Sequence, residues 1–365
     1  MKIYFLLTII SGVITFLVTP LIRLLAIRVG AVTNVRQRDV HKVPTPRLGG
    51  LAMLIGFIIT FLIANWFQFL KPVFETQKQL FPMLLGAIGI CLLGAADDKW
   101  DLDWLLKLSG QIGICILVAI NGVQLLSIPI MGQTVSSQNS LIVFTVLAIV
   151  AVMNAVNFVD GLDGLAAGIV AISASAFWLF SYTLTFNMTS YASASSLISA
   201  LLVGACLGFL PHNFRSKKIF MGDSGSMLLG YLMACSTIIV TGNIEADSSL
   251  IDSLPAFMPM ILPFLVLIIP LIDMALAIIR RLLKKQSPFA PDRMHLHHRM
   301  LEIGHTQITA ILILYLWTAL FAYGSSLTLF FPVKVVIPVV VVCAGVLLGI
   351  TVIPHIAKVI REDNF

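Results

Sequence analysis

Two adjacent carboxylates, Asp97 and Asp98, stand at the end of an apolar run in the segment LLGAADDKWDLDWLLK. If that run is helical, both lie at its C-terminal end, where the helix macrodipole disfavours negative charge unless a cation is close by. The pair therefore predicts a divalent metal or a basic partner. The alternative is a stop-transfer interpretation, in which a charged cluster ends the apolar helix and pairs with Lys99.

The segment NAVNFVDGLDGLAAG carries amides and acids at helical spacing. Asn154, Asn157 and Asp160 recur every three residues and share one face of a helix, with Asp163 one step further if the helix continues. Their oxygens suit a hard cation, and Mg²⁺ takes one or two carboxylates together with substrate phosphates and water. The alternative is a polar turn in which Asp163 caps the next helix.

Asp223 lies in the sequence Gly-Asp-Ser-Gly-Ser, residues 222–226, directly ahead of another apolar run. The free N–H groups of such a helix start can hold a phosphate, although an ordinary Asp or Ser cap has the same sequence. Phe220 either stacks on a base or lies in the membrane interface.

Basic and hydroxyl side chains precede the second apolar run, in the segment HKVPTPRLGG. Lys42, Thr45 and Arg47 are followed by Gly49 and Gly50. The segment either closes over a phosphate or base, or forms a rigid turn set by its prolines.

Four of the seven histidines fall in one segment, PFAPDRMHLHHRMLEIGHT. Arg293 with His295, His297 and His298 suits proton transfer, phosphate contact and hydrogen bonding to a sugar. Zinc is disfavoured because no Cys or Glu stands at the expected ligand spacing. The alternative is a solvated loop with incidental histidines.

A single acid, Asp273, interrupts the apolar run at 255–279, which also contains four prolines. It stands seven residues before Arg280, two turns along the same helix face, which predicts an internal ion pair. The prolines predict a kinked helix.

These motifs together are typical of a phosphoryl-transfer site. They provide oxygen ligands for a hard metal, several cations, glycine-containing helix starts and a His/Arg segment. The sequence contains no Walker A motif, so a P-loop nucleotide site is not expected.

The elements that must position these groups are membrane-spanning helices. Of the 365 residues, 59% are hydrophobic and 11% are charged, and the mean hydropathy is +1.01. A spanning helix needs about 20 apolar residues, so little of the chain remains for a soluble domain. We therefore expect one all-α integral-membrane domain over residues 1–365, in contact with the lipid bilayer, and no nucleic-acid binding. About eleven transmembrane helices are predicted at 3–27, 49–70, 80–96, 104–120, 140–158, 164–185, 192–211, 224–242, 255–279, 307–330 and 334–357.

Positive charge predicts the orientation of these helices. Alternating loops place nineteen of the 23 Lys and Arg residues on one side, which the positive-inside rule makes cytoplasmic. The N-terminus is then outside, the C-terminus is inside, and every polar motif described above lies at the cytoplasmic face, where we expect the active site.

Five segments, in this order, carry a family resemblance: DVHKVPTPRLGG, AADDKWD, NAVNFVDGLDGLAAG, IFMGDSGSMLLGY and PFAPDRMHLHHRMLEIGHT. Over nearly the whole chain they resemble the polyprenyl-phosphate N-acetylhexosamine-1-phosphate transferases. The PDRMHLHHR segment is similar to the bacterial branch that uses UDP-GlcNAc. The muramoyl-pentapeptide branch typically carries three adjacent histidines, a run that Leu296 interrupts here.

The resemblance implies roles for individual residues. Asp97 and Asp98 match the essential acidic pair, with Asp97 as the base for the lipid phosphate. The other matches are Asn157 and Asp223 with metal ligands, Asp160 and Asp163 with the adjacent acids, Lys107 with a lysine near the diphosphate, and His295, His297 and His298 with the histidines that meet the sugar and phosphates.

The resemblance also implies the reaction. An enzyme of the bacterial inner membrane would transfer GlcNAc-1-phosphate from UDP-GlcNAc to undecaprenyl phosphate and release UMP, with Mg²⁺ or Mn²⁺ as cofactor, as the first membrane step of cell-envelope polysaccharide synthesis. The alternatives are the muramoyl-pentapeptide transferase and, from a different class, a transporter of phosphate-bearing lipids. A homodimer is left open.

Overall fold

A computed structural model describes residues 1–32, 45–125, 128–130, 133–135, 137–187, 192–214, 218–242, 265–285 and 295–362. The apolar runs form most of its helices: α1 (Lys2–Val29), α2 (Gly49–Ala64), α3 (Lys71–Thr76), α4 (Leu80–Trp100), α5 (Trp104–Ile120), α6 (Gln138–Val159), α7 (Leu165–Asn187), α8 (Ala194–Asn213), α9 (Gly222–Gly242), α10 (Ile268–Leu283), α11 (Leu296–Ile303), α12 (Gln307–Ser326) and α13 (Val333–Glu362).

The predicted helical class and multi-pass membrane character are confirmed. The described residues also contain a short antiparallel strand pair, β1 (Ile128–Ile130) and β2 (Gln133–Val135), in the loop after α5. Eight described helices are long and apolar enough to cross a membrane, or nine if one bent pair counts as a span. The count of eleven and the predicted orientation stay predictions.

The expectation of one continuous helix over 49–70 was wrong. The helix α2 ends at Ala64 with Asn65 as its C-cap, and the chain then bends by 93° into the short helical stretch Gln68–Thr76. Pro72 starts the new helix, because a proline lacks an N–H but fits the first turn, where no partner is required. The hydrophobic run alone carries no sign of this bend.

The helix α9 lies at the centre of the bundle. It contacts α2, α4, α6, α7 and α8. Of the residues in its apolar spanning stretch, 94% are buried, against 6% for the peripheral α13. Small residues permit this close packing between helices. A Cβ added at Gly94 of α4 would lie 2.5 Å from the Ser224 Cα, and one at Gly50 of α2 would lie 2.2 Å from the Gly225 nitrogen. The backbones of α2 and α4 therefore press directly against the first turn of α9.

The segment before α2 pairs with the segment before α9. The Phe220 N–H donates to the Pro46 carbonyl over 2.8 Å, and the Gly49 N–H donates to the Phe220 carbonyl over 3.1 Å. A bridge between Val32 and Pro46 extends this pairing to the end of α1. The two segments that sequence analysis selected for substrate contacts are thus adjacent.

A second buried cluster includes residues of α6, α7, α10, α11 and α12. Its members include Val159 of α6, Leu165 of α7, Ile269 of α10, Met300 of α11 and Leu314 of α12. The apolar face of α11 is therefore anchored, and His295 at its N-terminus lies beside Phe158 of α6.

Candidate active site

Lys107 lies between two carboxylates from different helices. Its Nζ is 2.9 Å from Asp97 Oδ2 at the end of α4 and 2.7 Å from Asp223 Oδ2 at the start of α9. The other oxygen of Asp97 accepts from the Leu102 N–H over 2.8 Å. Lys99, the partner in the stop-transfer interpretation, lies over the Trp100 ring instead, 4.9 Å from its centroid. Lys107 is thus the basic partner of Asp97, the first residue of the acidic pair.

Asp98 uses its carboxylate to cap α9. Its Oδ1 accepts from the Asp223 N–H over 2.9 Å, and its Oδ2 accepts from the Ser224 N–H over 3.1 Å. These N–H groups are among those that a helix start leaves without an intrahelical partner. Asp98 therefore fixes the first turn of α9 and, with it, the position of Asp223.

Gly222 is the residue that this cap requires. Its φ is +70°, and a Cβ built there would lie 2.3 Å from Asp98 Oδ2. Gly222→Ala is therefore expected to add about 1–3 kcal/mol of backbone strain and to displace Asp98. We expect turnover to fall at least about tenfold, since small misplacements of reacting groups have large costs.

Gly30→Ala is the matched control, to be assayed beside Gly222→Ala for turnover and thermal unfolding in detergent. Gly30 has a similar φ of +78°, and no atom lies within 4 Å of its added Cβ. This variant carries the strain without the collision, so its turnover should stay normal. Equal turnover in the two variants would contradict the role given to the cap.

Asn157 joins the cluster from the end of α6. Its Nδ2 donates to Asp223 Oδ1 and, over 2.8 Å, to Ser226 Oγ. Asn154, one turn earlier, donates from Nδ2 to Gln111 Oε1 of α5 over 2.8 Å. Asn154 thus links two helices, while Asn157 reaches the acids. Sequence reasoning missed Gln111, which carries no distinctive spacing, and considered Ser226 only as part of a helix start.

The shared helix face does not extend to Asp160 and Asp163. The helix α6 ends at Val159 with Asp160 as its C-cap, so both acids lie in the turn before α7. Desolvation raises the pKa of the half-buried Asp160 carboxyl well above its ordinary value, and the charges of Asp223, Asp98 and Asp163 raise it further. Arg47 acts in the opposite direction. The cluster around Asp98 and Asp223 therefore also contains Asp160, Asp163 and Arg47.

His295 of the histidine segment lies beside the same end of α6. The rings of His295 and Phe158 have centroids 5.7 Å apart, and Phe158 directly follows Asn157. His298 lies on α11 and is half-buried. Thr45 and Phe220 belong to the paired segments before α2 and α9. Lys42, Arg293 and the side chain of His297 fall outside the described residues.

The predicted ion pair of Asp273 with Arg280 was wrong. The Asp273 carboxylate instead engages His295 Nδ1, 3.1 Å from its Oδ2, and the Leu296 N–H, 2.9 Å from its Oδ1. Spacing along one helix indicated Arg280, but the partner comes from another element. The sequence did carry a signal for a partner from another element: a lone acid in an apolar helix is buried and requires hydrogen-bond donors.

The donors of the cluster fit a hard cation. Asp97, Asp223 and Asn157 offer oxygens. In the part of the chain that the structure describes, the cluster contains five acids (Asp97, Asp98, Asp160, Asp163 and Asp223) and two cations, Lys107 and Arg47. Among the described residues, no three His, Cys, Asp or Glu side chains form a ready metal cage. Mg²⁺ does not require one, because substrate phosphates and water complete its shell.

Fold and site together define a multi-pass membrane protein with an acidic cluster around Lys107 at one end of its helix bundle. Residues 80–241 match the family described as glycosyl transferase family 4, a range that contains Asp97, Asp98, Lys107, Asn157 and Asp223.

Relatives match almost the full chain. Decaprenyl-phosphate N-acetylglucosaminephosphotransferase of Mycobacterium tuberculosis (strain H37Rv) is 40% identical over 368 residues, covering 97% of this chain and 89% of the relative. Probable undecaprenyl-phosphate N-acetylglucosaminyl 1-phosphate transferase of Bacillus subtilis (strain 168) is 31% identical, covering 87% and 82%. Undecaprenyl-phosphate alpha-N-acetylglucosaminyl 1-phosphate transferase of Yersinia pestis is 28% identical, covering 82% and 77%. The chain belongs to the polyprenyl-phosphate N-acetylhexosamine-1-phosphate transferase family.

Proposed function

We propose that this protein transfers GlcNAc-1-phosphate from UDP-GlcNAc to undecaprenyl phosphate and releases UMP. The observation that carries the proposal is the Lys107 ammonium held between Asp97 and Asp223, a polar centre suited to phosphate chemistry at one end of the helix bundle. The names of the relatives support the sugar phosphate and the polyprenyl acceptor. We place the reaction at the cytoplasmic face of a bacterial inner membrane, as the first membrane step of envelope polysaccharide synthesis.

The chain's residues account for an in-line displacement. An oxygen of the lipid phosphate attacks the sugar-bearing phosphorus of UDP-GlcNAc, the bond to the bridging oxygen breaks, and UMP leaves with that oxygen. Asp97 accepts the proton of a protonated lipid phosphate, and Lys107 neutralises charge on the diphosphate. Asp98 holds the start of α9, so that Asp223 stays in place. The alternative path, in which an aspartate first attacks phosphorus and carries the phosphosugar, uses the same groups.

Asp223 and Asn157 are the residues that we propose hold Mg²⁺, with Mn²⁺ as a substitute. When bound, the ion would neutralise diphosphate charge that Lys107 alone does not balance. The excess of acids over cations around Asp160, to which Asp223 contributes, supports this assignment.

We assign the remaining candidate side chains to the two ends of the donor. We assign the nucleotide to the paired segments, with Phe220 for the uracil ring and Lys42, Thr45 and Arg47 for polar contacts. We assign the sugar and its phosphate to Arg293, His295, His297 and His298. Asn154 supports this arrangement from α6 through Gln111.

UMP release by the purified protein tests the function. With UDP-GlcNAc, undecaprenyl phosphate and Mg²⁺, we expect stoichiometric UMP and lipid-linked GlcNAc; decaprenyl phosphate in a parallel reaction tests the acceptor length. UDP-MurNAc-pentapeptide should be refused, because a site built for hydrogen bonds to one sugar rejects a donor that cannot make them. Equal use of the muramoyl donor would favour the muramoyl branch. Lipid transport into vesicles without UMP release would favour a transporter.

A further inference from the structure

A buried carboxylate of α10 lies outside the acidic cluster and accepts hydrogen bonds from the histidine segment. Asp273 is 1% exposed and His295 is 7% exposed. The two Asp273 oxygens are 3.1 Å from His295 Nδ1 and 2.9 Å from the Leu296 nitrogen. We propose that Asp273 is a positioning residue that sets the tautomer and the ring orientation of His295 and fixes the start of α11.

The tautomer follows from the chemistry of the pair. An ionised carboxylate only accepts hydrogen bonds, so the imidazole Nδ1 that faces Asp273 must carry a proton. In the neutral ring, Nε2 is then the nitrogen with the lone pair, and it is the one that can take or return a proton. Asp273 therefore determines which nitrogen of His295 does chemistry.

A neighbouring aromatic ring at the end of α6 also limits the orientation of the His295 ring. Phe158 lies 5.7 Å from the His295 ring centroid, and the guanidinium carbon of Arg281 lies 5.4 Å from the same Phe158 ring. Both Asp273 and Arg281 of α10 are buried. Since Phe158 follows Asn157, which donates to Asp223, a continuous set of contacts joins Asp273 to the acidic cluster.

The catalytic consequence rests on the proposed function, but the tautomer does not. Asp273→Asn keeps the size of the side chain and the acceptor for the Leu296 N–H. Its NH₂ group, however, favours an unprotonated Nδ1 and so the other tautomer. We expect kcat to fall at least about tenfold with KM for UDP-GlcNAc changed by less than about threefold, the pattern of a group needed in the transition state.

Asp103→Asn is the matched control, because Asp103 also caps a helix, accepting from the Leu105 N–H over 3.0 Å, and is exposed. Its kcat should match the wild type. Normal kcat in Asp273→Asn, or an equal loss in Asp103→Asn, would overturn the catalytic part of the proposal.

¹⁵N NMR of histidine-labelled protein at about pH 8, where a free imidazole is neutral, reads the tautomer without an assay. His295→Gln identifies the signal. We expect a protonated Nδ1 in the wild type and a protonated Nε2 in Asp273→Asn. An unprotonated Nδ1 in the wild type would overturn the proposal. A wild type that shows the expected tautomer but releases no UMP would instead refute the proposed function.

Discussion

Asp97→Asn and Asp223→Asn are each expected to reduce turnover by about a hundredfold or more, the scale of a lost acid/base or charge-stabilising group. Each change removes one of the two carboxylates that hold the Lys107 ammonium, at 2.9 and 2.7 Å respectively. Asp97→Asn also removes the proposed base, and Asp223→Asn removes the charge at the start of α9. The size of the side chain is kept in both, so folding should be little affected. UMP release under saturating substrates measures the effect.

Glu75→Gln is the control for this pair, because Glu75 is an exposed acid on α3, outside the candidate site. Its turnover should equal that of the wild type. Elution from a sizing column and thermal unfolding in detergent show whether each variant is folded. Near-normal rates in both Asp97→Asn and Asp223→Asn would contradict the catalytic role of Asp97 and favour the stop-transfer interpretation.

Removal of divalent cations is expected to abolish activity, and Mg²⁺ or Mn²⁺ should restore it. The reason is the local charge: Asp98, Asp163 and Asp223 all act on Asp160, with Arg47 as the opposing charge, and a doubly negative diphosphate would add to this repulsion. Asp223→Ala should abolish activity or raise the Mg²⁺ concentration needed for half-maximal rate at least about tenfold, since Mg²⁺ takes only one or two protein carboxylates.

A measurement without substrate complements the assay. An ion that binds the folded protein stabilises it in proportion to the logarithm of its concentration, so Mg²⁺ should raise the unfolding temperature of the wild type and not that of Asp223→Ala. Glu75→Gln should respond like the wild type. Full activity in excess EDTA would refute the metal dependence.

Much of the helical framework could be predicted from the sequence, because continuous apolar runs leave few other structures in a membrane. The runs at 80–96, 140–158 and 224–242 lie within α4, α6 and α9. The motifs at their ends were also recognisable, since polar side chains are costly beside apolar runs and are kept where they function. The bend after Ala64 was missed because hydropathy averages over a window and is insensitive to one change of direction.

Within the candidate site, the sequence by itself determined which residue types stand at the helix ends. The helical period placed Asn154 and Asn157 on one face, and family resemblance linked Asn157, Asp223 and Lys107 to one centre. The sequence could not show that Asp160 and Asp163 leave that face, because the end of α6 at Val159 depends on tertiary contacts of the following turn. In that turn, the Gly164 N–H donates to Asn213 Oδ1 over 2.6 Å, and the Tyr315 hydroxyl donates to the Gly164 carbonyl.

Only the tertiary structure decided which side chains meet. Asp97 and Asp98 are neighbours in sequence, yet one pairs with Lys107 and the other caps α9. Asp273 pairs with His295 rather than with Arg280 on its own helix. The physical reason is that periodicity defines the faces of a single helix, whereas partners across helices depend on how closely the backbones approach. Here that approach depends on glycines such as Gly94, whose missing side chain lets α4 reach the first turn of α9.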